Sequence, residues 1–278
     1  MIYSEILKQK LLITFLGEKL LKIRNFYELW ECSWKNPENL PTLVNDQISS
    51  KILTKLCEKD KVFIDVGAHI GSIISAVKSY NSQIEIIGIE AIPEKVIKLR
   101  KAFPSVEIYE CAVGDREGEV CFYINTLKSG YSSLGRKKDP RNQEEIKEIK
   151  VQLKTLDNLI PSDKKVGVIK IDTEGAELGV LRGAVNLISR NKPLIMFESG
   201  PNKNDLGYTK EDMWLFFENI NYQLIIPNRL AHNGDSLTLE GFIESHLYPR
   251  RTTNYFAIPS EKRELVKKLA RNIMNVKI

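Results

Sequence analysis

Cysteine is scarce in this 278-residue chain, and its spacing carries no chemistry. Cys32, Cys57, Cys111 and Cys121 form no CxxC pair and no zinc-like pattern. They read as reduced thiols, so a cytoplasmic location is expected. No run of about 18 apolar residues occurs, so neither a membrane span nor stable membrane insertion is expected. The N-terminal stretch MIYSEILKQKLLITFLGEKLLKIRNF is broken by charges throughout. It lacks the basic start, apolar centre and cleavage site of a secretory leader. Charge of one sign is not in marked excess. A net charge of +5 is small for this length. It is compatible with acidic or phosphorylated substrates, but does not point to nucleic acid, whose binders concentrate basic residues on one face. What the chain has is apolar material, 42% of its residues, enough for an extensive core.

Residues 2–30 place Ile6, Leu7, Leu11, Leu12, Phe15, Leu20, Ile23 and Phe26 at helical spacing, with lysines between them. Such a stripe packs on its own domain or on a second copy of the chain, which would make a homo-oligomer. Pro37 and Pro41 punctuate a loop, and 48–56 reads as a further helix. Residues 1–59 are therefore taken as an N-terminal helical extension, 60–260 as the main domain and 261–278 as a terminal helix. Within the main domain, strand-like runs fall at 62–66, 84–90, 106–113, 119–124, 166–172, 193–198, 222–227 and 254–259. Helices fit at 71–80, 94–102, 174–189 and 209–220. Alternation of this kind predicts an α/β fold, a mostly parallel sheet flanked by helices, with a local antiparallel hairpin around 119–124. The polar segment 128–150 is the longest loop candidate.

The first strand runs VFIDVGAHIG over 62–71. Asp65 closes it, and Gly67 and Gly71 follow with His69 between them. Bare backbone lets a ligand approach closely, and the start of the next helix offers free N–H groups. A dinucleotide site favours GxGxxG. Here the pattern is D-x-G-x-x-x-G, and a carboxylate beneath the loop repels a pyrophosphate. It suits a cationic group, so S-adenosylmethionine, with its ammonium and sulfonium, fits better than NAD. The second strand ends in Glu90, placed to accept ribose hydroxyls. Cofactor contacts are assigned to Asp65, Gly67, Ala68, His69, Gly71, Glu90 and Ala91; for His69, a plain hydrogen bond to neighbouring backbone is the alternative.

These residues, with VGVIKIDTEGAELGVLRGA at 166–184 and PLIMFE at 193–198, resemble the FkbM-type methyltransferases. The likeness covers roughly residues 60–259. It includes Ala112-Val113-Gly114-Asp115, Ser132-Ser133-Leu134, the run Lys170-Ile171-Asp172-Thr173-Glu174-Gly175-Ala176-Glu177, and Asn254-Tyr255-Phe256-Ala257-Ile258. Ile89-Glu90-Ala91-Ile92-Pro93 departs from the family pattern, which commonly has an aromatic before the acid and proline directly after it.

The resemblance implies a Rossmann-like class I methyltransferase fold and methylation of hydroxyl groups on sugars, glycans or natural products. It makes Asp172, Glu174 and Glu198 the candidate catalytic carboxylates, Asp172 also touching the cofactor, with a helix N-cap as the alternative role for Asp172. It lays the adenine against Cys111 and Ala112. Ser132 and Ser133 would close over the acceptor, and Arg250 would meet its acidic groups. Asp172 and Glu198 suit a divalent ion such as magnesium or manganese, yet no His or further acid completes a shell, so a metal is not favoured. A nucleic-acid methyltransferase would need an Asn/Asp-Pro-Pro-aromatic loop or a Pro-Cys pair; Ile-Asp-Thr-Glu stands there instead, and no nucleic-acid partner is expected. A protein methyltransferase and a silent binding subunit of the same fold are the remaining alternatives.

Overall fold

Val62–Val66 is a strand because five apolar-dominated residues run between the turn at Asp60-Lys61 and a glycine loop; all five are buried. In the computed structural model, which describes residues 15–125, 134, 146–200, 208–232 and 234–276, it is β1, the third strand in the order of a seven-stranded sheet. The other members are β2 (Ile86–Glu90), β3 (Glu107–Glu110), β7 (Val166–Ile171), β8 (Leu194–Glu198), β9 (Tyr222–Ile225) and β10 (Asn254–Pro259). Their order is β3-β2-β1-β7-β8-β10-β9, parallel except for β10, which runs antiparallel to β8 and β9. The strand order reverses between β1 and β7, where open α/β sheets bind ligands beyond their strand ends. This is the Rossmann-like class I methyltransferase fold.

The pleat sorts residues by parity. Val62, Ile64 and Val66 of β1 join one core with Ile87, Ile169, Ile171, Ile195, Phe197 and Tyr255. Phe63 faces the other way, into a second core with Ile86, Val168, Met196, Phe256 and Ile258. On that second face, the same parity continues to Asp65, Glu90, Lys170, Glu198 and Asn254. Register sets Asp65 beside Lys170 and Glu198 beside Asn254. One sheet face is thus apolar along its middle and ionisable where the strands end.

Helices Leu40–Leu56 and Arg263–Met274 cover that face. Ile52, Leu53, Phe63, Val266 and Ala270 share one buried cluster. Residues on either side of the 60–260 segment therefore pack into its core. The helix Leu40–Leu56 begins eight residues before the expected 48; Pro41 sits in its first turn, where a missing N–H costs nothing. The helix Phe15–Lys35 runs five residues past the expected end at 30 and leaves Ile23 and Phe26 of the expected stripe exposed, with Tyr27, Trp30 and Trp34; Ile6, Leu7, Leu11 and Leu12 lie outside the described residues. Among the described residues no helix is long and apolar enough to cross a membrane.

Three further elements differ from expectation. The run 106–113 divides at Cys111: Glu110 pairs with Glu90, then β4 (Ala112–Val113) joins a second sheet with β5 (Gly118–Asn125) and β6 (Ile146–Lys154). β6 occupies the end of the expected polar loop and pairs antiparallel to β5. Glu148, Lys150 and Gln152 face outward while Val151 and Leu153, of the opposite parity, are buried. The expected helix 174–189 is two short helices, Glu177–Arg182 and Val185–Asn191. They part at Gly183, where a Cβ would lie 2.0 Å from the Gly114 carbonyl oxygen.

Candidate active site

The turn after β1 is bare because another strand end occupies its space. A Cβ on Gly67 would sit 1.8 Å from the Asp172 carbonyl oxygen, and one on Gly71 would meet the Phe103 ring at 2.4 Å. Both glycines have left-handed backbone, as does His69 at φ 52°. Glu90 fastens this turn. Its Oε2 accepts the His69 backbone N–H at 2.8 Å and its Oε1 accepts that of Ile92 at 2.9 Å. Hydrogen bonds to a charged acceptor contribute about 1.5–3 kcal/mol each. Each carboxylate oxygen keeps a second lone pair for a ligand.

Asp65 is buried, and its Oδ1 lies 3.4 Å from Lys170 Nζ without a well-directed hydrogen bond. Burial pushes its pKa up to about 6 against the pull of Lys170, with Asp172 and Glu90 adding to the rise. Lys170 also reaches Asp172 Oδ2 at 3.1 Å. Burial opposes the lysine's charge, but Asp172 and Asp65 outweigh it and hold its pKa above the ordinary value. The Asp172 N–H donates to the Val66 carbonyl at 3.0 Å, which ties β7's end to β1.

Glu177 builds the turn that follows. Its Oε1 accepts from the Thr173 N–H at 2.9 Å, the Thr173 hydroxyl at 3.2 Å and the Gly175 N–H at 3.0 Å. The N-cap of the next helix is Ala176. Asp172 is therefore not a helix cap. Its side chain, enclosed by protein on most sides, keeps 36% of its surface open to the cavity. Glu174 takes a left-handed conformation, φ 56°, on the same turn.

Asp172, Glu174 and Glu198 each offer an oxygen within 4.8 Å of the other two. Glu198 is hydrogen-bonded to Asp172. Burial, then the Asp172 charge, drives the Glu198 pKa upward, so Glu198 carries the proton. Asp172 stays ionised: Lys170 and the Glu198 hydrogen bond outweigh its burial and lower its pKa. Like charges this close cannot all ionise in a poorly solvated site. The trio can share a proton or hold a divalent cation.

These groups line one cavity of about 500 Å³, in the range of small-molecule sites. Asp65, Gly67, Ala68, His69, Glu90, Ala91, Cys111, Ala112, Asp172, Glu174 and Glu198 all border it. Gly71 does not; it packs against Leu99 and Phe103. Arg250 does not border it either, and its carbonyl accepts a hydrogen bond from Thr42. The cavity wall near β10 is made by other residues, so the acid-recognising role expected of Arg250 has no support there. Ser132 and Ser133 lie outside the described residues. His246 is buried, bonded to the Phe242 carbonyl and Ser199 hydroxyl, with burial holding its pKa down near 4. The sequence reading missed Asp46, Ser49, Ser50, Phe122, Met196 and Asn254 as cavity wall.

A seven-stranded, mostly parallel sheet with acids at the ends of β1, β2, β7 and β8 defines a nucleotide-type α/β site. The chain matches the family described as Methyltransferase FkbM domain over residues 65–224, more than half its length. It belongs to that family. It is 25% identical over 146 residues to Methyltransferase 1 of Beauveria bassiana (strain ARSEF 2860), covering 45% of this chain and 58% of that protein. The crystal structure of methyltransferase FkbM from Methylobacillus flagellatus KT aligns with 87% of this chain and 60% of its own, at 16% identity and a TM-score of 0.47. A SAM-dependent methyltransferase from Aquifex aeolicus aligns with 72% of this chain and 89% of its own, at 12% identity and a TM-score of 0.36. The chain spans about three fifths of the first two relatives.

Proposed function

We propose that this protein is an S-adenosylmethionine-dependent O-methyltransferase acting on a hydroxyl of a sugar, glycan or natural-product-like small molecule. The observation that carries this is the convergence of Asp172, Glu174 and Glu198 at the switch point, beside a cavity whose other wall holds Asp65 and Glu90. The residues present fit the cofactor. Asp65 Oδ1 is a buried carboxylate oxygen with no directed hydrogen bond, suited to a cationic or N–H donor group. Glu90 retains a lone pair on each oxygen for ribose hydroxyls. Cys111, Ala112 and Phe122 form an apolar wall for a flat base. Burial raises the Cys111 thiol pKa to about 11, so it packs as a neutral group.

When bound, S-adenosylmethionine supplies an electrophilic methyl group on a sulfonium. The chain's own residues hold the acceptor and remove its proton. Asp172 is the ionised member of the carboxylate pair and takes the hydroxyl proton as the acceptor oxygen gains its new bond to carbon. A protonated ether is a strong acid, so a carboxylate kept low by Lys170 still accepts its proton. Glu198, holding its own proton, donates to Asp172 and fixes its orientation. A base positioned in this way contributes about 10²–10⁴ in rate. Isothermal calorimetry tests the donor half: S-adenosylhomocysteine should bind and NAD should not. Transfer of a labelled methyl group to a glycan panel tests the acceptor half. Binding of NAD in preference to S-adenosylhomocysteine would overturn the reading.

A further inference from the structure

The sheet assigns the cavity's two ends different origins. Gly67 to His69, Glu90 to Ile92 and Cys111 to Val113 follow β1, β2 and β3, on one side of the switch point. Met196, Glu198 and Asn254 belong to β8 and β10, on the other side. There the wall is completed by Asp46, Ser49 and Ser50 of the helix Leu40–Leu56, far outside the span of the family match.

That helix is fixed rather than draped. The buried Asn45 side chain donates to the Arg251 carbonyl at 3.0 Å and accepts the Asn228 N–H at 2.9 Å. Ile52 and Leu53 are fully buried in the core beneath. Asp46 is held in turn: its Oδ1 accepts from Asn254 Nδ2 at 2.8 Å and from the Thr253 hydroxyl at 3.4 Å. Among the described residues both hydrogen bonds fall on Oδ1, which leaves Oδ2 for a donor in the cavity. Ser50 stands beside it on the cavity wall.

We propose that Asp46, with Ser50, forms the acceptor subsite and selects a polyhydroxylated acceptor that carries no anionic group. The inference rests on the methyl-transfer reading and adds the charge class of the acceptor and the residues that choose it. A carboxylate fixed by Asn254 and Thr253 accepts hydroxyl donors. It repels carboxylate, phosphate and sulfate, and the ionised Asp172 and Glu174 lie on the same side of the cavity. Lys170 is already engaged by Asp65 and Asp172, and the cavity's other lysine, Lys95, stands on the helix Pro93–Ala102 after β2, at the donor end.

The full chain tests this with two measurements. S-adenosylhomocysteine binding is followed by calorimetry for wild type, Asp46→Asn and Ser50→Ala. Labelled methyl transfer is followed with neutral methyl hexosides and short neutral oligosaccharides against their matching uronosides. The expected result is wild-type kcat/KM at least about a hundredfold higher for the neutral acceptor, given like charges at close range in a partly desolvated site. Asp46→Asn should raise the neutral acceptor's KM about tenfold with kcat within about threefold, narrow the neutral-to-uronoside ratio, and leave S-adenosylhomocysteine affinity unchanged. Should Asp46→Asn fail to bind S-adenosylhomocysteine, Ser50→Ala carries the same KM test. Equal use of uronosides, unchanged KM in both variants, or no transfer to any neutral acceptor by a protein that binds S-adenosylhomocysteine overturns the proposal alone. Absence of binding by wild type overturns the donor reading and this one together.

Discussion

Gly67→Ala is the substitution on which the geometry of the switch point can be judged. Gly67 has φ 78°, and the new Cβ would lie 1.8 Å from the Asp172 carbonyl oxygen and 2.9 Å from its carbon. Both are backbone atoms, so no side chain can swing away. The strand end must retreat by more than 1 Å to restore a normal contact, which strains the 3.0 Å hydrogen bond from Asp172 N–H to Val66. A left-handed alanine costs about 1–2 kcal/mol, and a weakened hydrogen bond about 0.5–1.5 kcal/mol. The sum is about 1.5–3.5 kcal/mol, or roughly 3–14 °C in Tm for a chain of this size. Gly71→Ala meets the same backbone penalty, but its neighbours are the side chains of Phe103 and Leu99, which can shift. Calorimetric Tm should therefore fall further for Gly67→Ala. Turnover at a temperature where both variants are folded should also fall further, because Asp172 itself is displaced. A Gly67→Ala protein melting within about 2 °C of wild type, with undiminished turnover, would refute the claim that the loop is bare to admit β7.

Other substitutions address the carboxylates. Asp172→Asn should lower kcat by about 10²–10⁴ while S-adenosylhomocysteine affinity stays within about threefold; full turnover would remove Asp172 as the base. Glu90→Ala should weaken S-adenosylhomocysteine by more than tenfold, since it loses the ribose acceptor and two backbone ties; unchanged affinity in calorimetry would count against the assignment. The folded-state pKa of Glu198 is raised, so its contribution to stability is full below the ordinary carboxylate pKa and is lost as pH rises above it. Urea unfolding from pH 5 to 8 should show Glu198→Gln gaining on wild type by up to about 1.4 kcal/mol per pH unit; parallel curves would show that Glu198 does not retain its proton. Dialysis against a chelator should leave turnover unchanged, the three-carboxylate cluster serving as a proton-sharing group; loss of activity restored by magnesium or manganese would assign the cluster to a metal instead.

Much of the site was legible because its residues obey local rules. β1 and β10 fall at the bounds expected from sequence, each a short, nearly continuous apolar run buried on both faces. Asp65, Glu90, Asp172 and Glu198 could be found because each is the charged residue that closes such a run. The rest depended on contacts between distant segments. Nothing near residue 183 announces that the Gly114 carbonyl will press against it and divide a helical pattern in two. Nothing near Cys111 tells the chain to leave one sheet for another; Ala112 pairs with Leu153, which lies beyond a polar stretch. The charged face of β6 hides its strand character, since alternation in which lysine and glutamate occupy the outward positions is easily taken for loop.

Asp46 shows the limit most clearly, and parity explains it. Asn254 shares a pleat face with Phe256 and Ile258, and its partner across the ladder is Glu198. That placement could be read from the strand pattern alone. It aims a polar side chain at the open end of the face that also carries Asp65, Glu90 and Lys170. A helix crossing this end must therefore bring a group that accepts the Asn254 amide, or leave it unbonded at a cost of about 1–3 kcal/mol. Asp46 is that group. The proposed donor side of the cavity follows from the end of β1 and from β2 and β3, which the family match includes, while the proposed acceptor side is closed by a helix from outside the match. A chain built this way can change its acceptor by altering residues 46–50 without disturbing the strand ends at Asp65, Glu90 and Asp172.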